Sequence, residues 1–253
     1  MIRAWYADAM ASWLGRALFL AMLGCGTSRS TPAQPNPSPP PTSVPLPASA
    51  PTAEPSTPDF TKLWPLLEGW KPEVIPFPLG FAPSIDLIGA EMLRFAPDFY
   101  NRAAPGYFTY AFVWHAAVPS YPITAAWLRS QLAAYFDGLC VAVSDPPGVG
   151  CAAHPTQVTV AAPTTTPFSS LPGVPAHSMT LQTFDAFKAN QPVALAGSVT
   201  VARCGTQLLV AVTLAPPGSP AAAALLQQAQ AFALPASTPP CVDALQSAAG
   251  HTK

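Results

Sequence analysis

Charge is what this chain has least of. Of 253 residues, 11 are Lys or Arg and 12 are Asp or Glu. That is 9% charged, against roughly 25% in an ordinary soluble domain. The net charge is −1 and the pI is near 6.4. Nucleic acid is thereby excluded as a partner, because domains that bind it usually have a pI above about 9 and a clustered basic face. No run of like charges forms an interaction tail. Metal-ligand spacing is missing too. There is no Cys-x-x-Cys and no His-x-x-x-His, and His154 and His177 stand alone in turn-like sequence. Neither a Gly-x-Ser-x-Gly elbow nor a phosphate loop is present, since Gly148-Val149-Gly150 reads as a turn. The sequence therefore points to no metal and no cofactor. A mean hydropathy of +0.29 lies far below that of a multi-span membrane protein.

Proline is plentiful, at 34 residues, and its placement is informative. Eleven prolines fall within the 33 residues from Gly26 to Pro58, mixed with Ser, Thr and Ala and with only Arg29 and Glu54 charged. Such a stretch buries too little surface to offset its ordering entropy, and proline biases it toward extended polyproline II. Residues 25–59 are expected to be a disordered tether. Upstream, Arg3 and Arg16 precede the apolar run Ala17–Gly24, which ends at Cys25. Eight apolar residues are too few to span a bilayer, which takes roughly 20, but they suit the core of an export signal.

The run Met22-Leu23-Gly24-Cys25 resembles the lipobox of bacterial lipoproteins. That resemblance implies cleavage after residue 24, acylation of Cys25, and a chain anchored to the membrane in the cell envelope. Gly26 after the cysteine points to outer-membrane sorting. An ordinary secretory signal or a short N-terminal anchor is the alternative. Several acyl chains anchor stably where one is marginal, since each buried CH₂ contributes about 0.8 kcal/mol.

Residues 60–253 remain, 194 in all, enough for one domain with a proper core. They carry 17 charges, so the shortage belongs to the domain itself and not to the leader or tether. Four cysteines lie here, Cys140, Cys151, Cys204 and Cys241, and four allow three pairings. Cys140–Cys151 around the turn-rich Asp145–Gly150, with Cys204–Cys241, is the favoured one; four unpaired thiols are the alternative.

Periodicity predicts strands at Glu91–Phe95, Tyr107–His115, Val158–Val160, Ser178–Phe187, Leu195–Arg203 and Thr206–Leu214, the last two joined at Cys204-Gly205. In the second of these, Phe108, Tyr110, Phe112 and Trp114 share one face. A helix capped by Thr124 carries Leu128, Leu132, Tyr135, Phe136 and Leu139 on one side, with Gly138 near its end. Another runs over Ala221–Leu234, begun by Ser219-Pro220 and stopped by Pro235. The expected architecture is α+β: a two-layer antiparallel sheet with both helices packed on one face.

Candidate chemistry gathers between Gly69 and His115. Phe77-Pro78-Leu79-Gly80-Phe81-Ala82-Pro83, then Gly89-x-Glu91-x-x-Arg94-Phe95-Ala96-Pro97, then Tyr107-x-x-Tyr110-x-Phe112-x-Trp114, is similar to a family of uncharacterised exported bacterial proteins and brings no established activity. Glu91 and His115, with Asp98, are candidates for acid–base catalysis in a surface-tethered hydrolase. Arg94, Tyr107, Tyr110 and Trp114 are candidates for ligand binding. The bland reading of the same residues is a salt-bridged strand edge above an aromatic core, and it outweighs catalysis. With so few charged groups, binding ranks above enzymatic activity. The sequence thus predicts an envelope lipoprotein whose domain is structural or binds a partner protein, a cell-wall glycan or another ligand.

Overall fold

A computed structural model describes residues 60–245. The predicted signal segment, Cys25 and the proline-rich tether lie outside the described residues. The elements run α1 (Phe60–Leu63), β1 (Lys71–Pro76), β2 (Gly89–Phe95), β3 (Tyr110–Ala117), α2 (Ala125–Val143), β4 (Gln157–Thr164), β5 (Ala176–Asp185), β6 (Gln191–Cys204), β7 (Gln207–Ala215), α3 (Ala222–Gln230) and β8 (Cys241–Asp243). The arrangement is α+β. The strands form one sheet in the order β1-β2-β3-β7-β6-β5-β4, with β8 added to the end of β6, and every neighbouring pair is antiparallel. Two meanders, β1–β3 and β4–β7, are thus joined where β3 pairs with β7.

The central strands are apolar on both sides, and this decides the layering. On one side of β3 and β7 stand Tyr110, Phe112 and Trp114 opposite Leu214, Val212 and Val210. These pack with Leu128, Leu132, Tyr135, Phe136 and Leu139 of α2. The other side presents the smaller Ala111, Val113, Leu209 and Ala211, which pack with Leu225 and Ala229 of α3 and with Trp64 and Trp70 of the N-terminal segment. The expectation that both helices share one face therefore does not hold. They cover opposite faces, giving three layers. A sheet whose two faces are both apolar leaves one exposed to water unless each is covered. The longer helix takes the bulky aromatic face, and the shorter one takes the Ala/Val face.

Local sequence accounts for most element ends. Thr124 caps α2, its side-chain oxygen accepting from the Trp127 amide at 3.1 Å. Gly138 lies inside α2 rather than at its end. A Cβ there would stand 2.0 Å from the Phe81 carbonyl oxygen, so the glycine lets the Phe81–Ala82 segment lie directly on the helix. The β6–β7 hairpin turns through Gly205-Thr206, one residue later than expected, with Gly205 at φ 63°. α3 is shorter than predicted and is capped at Ala231. β1 was not anticipated, because Pro72 and Pro76 argue against a strand; it sits at the sheet edge, where proline is tolerated.

Two disulfides close the domain. Cys140–Cys151 fastens the last turns of α2 to the loop that leads to β4, and Cys204–Cys241 fastens β8 to the end of β6. On a chain-entropy estimate the shorter loop is worth roughly 3 kcal/mol.

Candidate functional site

Glu91 leads the candidate residues and is completely buried. It sits opposite Trp114 in the β2–β3 register, on the face covered by α2. Trp114 Nε1 donates to Glu91 Oε1 at 3.2 Å, while Oε2 has no hydrogen-bond partner. The hydroxyls of Tyr110 and Tyr135 are also buried without partners, and the carboxyl acts on both electrostatically. Tyr135 lies beside Glu91 and, with Trp114, favours its ionised form, without the geometry of a full hydrogen bond. Burial dominates. It raises the Glu91 pKa from the ordinary 4.5 to about 8, with the negative charge of Glu73 adding to the effect, so the group is mostly protonated at neutral pH. Both tyrosines are likewise held well above their usual pKa, chiefly by burial. The rings around this set are stacked in sequence: Phe95 on Tyr110, Tyr110 on Phe112, and Phe112 on Tyr135.

The remaining candidates lie elsewhere. Arg94 alternates away from Glu91 onto the α3 face, where it is buried. Its Nε donates to the Trp64 carbonyl at 3.1 Å, its Nη1 donates to the Leu93 carbonyl at 2.8 Å, and the guanidinium lies 4.8 Å from the Trp64 ring centre. Burial lowers its pKa to about 10. Arg94 therefore pins the N-terminal segment to the sheet, and its recorded partners are carbonyls and a ring, not a carboxylate. His115 pairs in register with Ala90 and Leu209, on the opposite side of β3 from Trp114, and its Nε2 lies 2.7 Å from Gln207 Oε1. Glu91 and His115 thus face away from each other across the sheet. The acid–base pair expected of a hydrolase is not assembled, because an odd spacing between register partners sends the two side chains to opposite faces. Asp98 is exposed on the β2–β3 loop at φ 57°. The Tyr107 hydroxyl donates to Asp185 Oδ2 at 2.7 Å, a contact that holds the β5–β6 turn. Tyr110 and Trp114 are core residues, so the aromatic stripe is unavailable for stacking on sugars.

Two concavities matter instead. The larger, about 580 Å³, lies between the end of α3 and the 169–172 loop, beside Cys241; Phe232, Pro235, Pro239, Ser169, Ser170 and Thr238 are on its wall, and none of its lining residues is charged. Ser170 Oγ is buried there without a partner. The smaller, about 280 Å³, lies at the edge of the sheet between Lys71, the β2–β3 loop and Lys188. Sequence reasoning missed both. Pocket walls built from loops carry no periodicity, and the only available signal was the scarcity of lysine in the domain. Also missed was Gln228 of α3, whose side chain accepts from the Leu67 amide at 2.9 Å and donates to the Pro65 carbonyl at 2.7 Å.

Among the described residues, no cluster of three or more His, Cys, Asp or Glu is arranged to hold a metal, and no helix is long and apolar enough to cross a membrane. No protein-family model matches the chain, and no curated protein or solved structure matches it either.

Proposed function

We propose that this chain is an exported, lipid-anchored protein of the bacterial cell envelope whose domain binds a ligand instead of transforming one. The observation that carries the binding reading is the uncharged cleft of about 580 Å³ beside α3. Its wall combines prolines with the hydroxyl-bearing Ser169, Ser170 and Thr238. Such a surface suits a neutral ligand with both hydroxyl or amide groups and apolar faces, as a cell-wall glycan or an extended stretch of a partner protein has. The separation of Glu91 from His115 supports binding over hydrolysis. Two disulfides suit an oxidising compartment outside the cytoplasm. The lipobox-like Met22–Cys25 and the following tether supply the anchor in this reading.

Filling the cleft tests it. Ser169 is exposed and its hydroxyl donates to the Gln230 carbonyl at 2.8 Å, so Ser169→Trp exchanges one hydrogen bond at the cleft wall for a large ring over the cleft. Full-length protein is expected to pull down purified cell wall or a defined envelope protein, and Ser169→Trp to lose at least ten-fold of that capture. Equal capture by the two proteins, or none by either, would overturn the assignment of this cleft.

A further inference from the structure

The smaller concavity holds a cationic site that the binding cleft does not explain. Only three lysines, Lys62, Lys71 and Lys188, fall among the described residues, and two of them line this one cavity of about 280 Å³. They come from distant parts of the chain. Lys71 opens β1, and Lys188 follows β5 in a turn that Asp185 holds by accepting from the Phe187 amide at 3.0 Å. The ring of Phe187 packs on Phe99 and Tyr100, centroids 5.9 and 5.2 Å apart, which brings that turn against the β2–β3 loop. Among the described residues, neither ammonium has an ion pair or a hydrogen bond. Asn101 uses its Oδ1 to accept from the Ala103 amide at 3.1 Å, so its Nδ2 is left as a donor. The floor is aromatic, made by Phe95 and Phe99, which pack at 5.0 Å. Tyr100 completes the wall; burial first, and then the charge of Glu73, raises its pKa to about 12, so it stays a neutral hydroxyl. Asp98 also lines the cavity and offsets one of the two positive charges.

We infer that the Lys71–Lys188 cavity binds a monoanion that carries an apolar body, a carboxylate or a phosphodiester, with its charged oxygens at Lys71, Lys188 and Asn101 and its apolar part on Phe95 and Phe99. Two unpaired ammoniums in a domain so short of charge create a local positive potential, and an apolar floor of two edge-to-face rings beside them favours an amphiphilic anion over a hydrated inorganic one. The lining residues carry one net positive charge, Lys71 and Lys188 against Asp98, and the nearby Glu73 lowers the local potential further, which fits a monoanion better than a phosphate dianion. The volume suits a single ring or a short chain. The anion is therefore either a soluble carboxylate or the headgroup of an acidic lipid in the membrane that the anchor would bring near.

Titration of the purified full-length protein, followed by NMR, tests the site. The probes are phenylacetate, its neutral analogue phenylacetamide, and bicelles containing phosphatidylglycerol or only phosphatidylcholine. Saturable shifts at residues 95–101 and 188 are expected with phenylacetate or with phosphatidylglycerol bicelles, and which of the two binds tells a soluble carboxylate from a lipid. Phenylacetamide and phosphatidylcholine are expected to bind at least ten-fold more weakly. The double variant Lys71→Gln/Lys188→Gln should lose at least ten-fold in affinity. Arg203→Gln, which removes an exposed charge on β6, should lose none. Because all three side chains are exposed, these variants are expected to fold. Absence of saturable binding by both anions, equal binding of phenylacetate and phenylacetamide, or affinity unchanged in the double variant would each overturn the site.

Discussion

At the scale of single residues, Glu91 has the largest measurable consequence. Alternation along β2 placed it with Leu93 and Phe95, and the aromatic stripe of β3 was equally visible. What the sequence could not supply was the register that sets Glu91 against Trp114 under α2, and so the depth of burial. A carboxyl with a raised native pKa costs stability as pH rises, because the unfolded chain ionises first. The contribution of Glu91 is intact below about pH 4.5 and is lost progressively up to about pH 8, a fall on the order of 4 kcal/mol. Glu91→Gln keeps an acceptor for Trp114 Nε1 and removes the titration. Thermal melts from pH 4 to 9 should therefore show the variant more stable than the wild type at pH 8 and nearly equal to it at pH 4. Parallel profiles across that range would contradict the assignment. Arg94 shows the opposite limit of legibility. Its face was readable, but its partner was not, since the Trp64 carbonyl lies 30 residues away in a segment with no periodic signal.

At the scale of elements, those with strong periodicity were legible and those defined by contacts were not. α2, β6 and β7 overlap the spans that apolar spacing predicts, because their buried faces repeat at helical or strand period; β3 opens at Tyr110 instead of Tyr107, since Phe108 sits in a turn at φ 45°. β1 was missed for its prolines, and β4 was read short because its register shifts between Val160 and Pro163. Gly138, expected near the end of the helix, is a contact point within it. Its role gives a direct test. Gly138→Ala should gain up to about 1 kcal/mol in helix propensity, yet the added methyl meets a backbone oxygen at 2.0 Å. A net loss of about 1–3 kcal/mol is expected, seen as a lower urea midpoint with an unchanged slope. A higher midpoint would show that Phe81 is free to move off the helix.

At the scale of the whole molecule, the layering was the principal misreading, although its signal was present. Tyr107–His115 was already apolar on both faces, and a strand of that kind needs cover on each side. The candidate site was less legible still. Glu91 and His115 are held apart on opposite faces of the sheet, while the two concavities are lined largely by loop positions such as Ser169, Asp98, Asn101 and Lys188. Of the domain's few charged groups, four, Glu73, Glu91, Arg94 and Asp185, are buried in the interior. The account rests on export and anchoring of this domain, and acylation of Cys25 tests that claim most directly. Cells fed labelled palmitate should incorporate it into the wild-type chain, and Cys25→Ser should abolish the label and release the protein from the membrane fraction. Undiminished labelling in Cys25→Ser, or no labelling of the wild type, would contradict the claim.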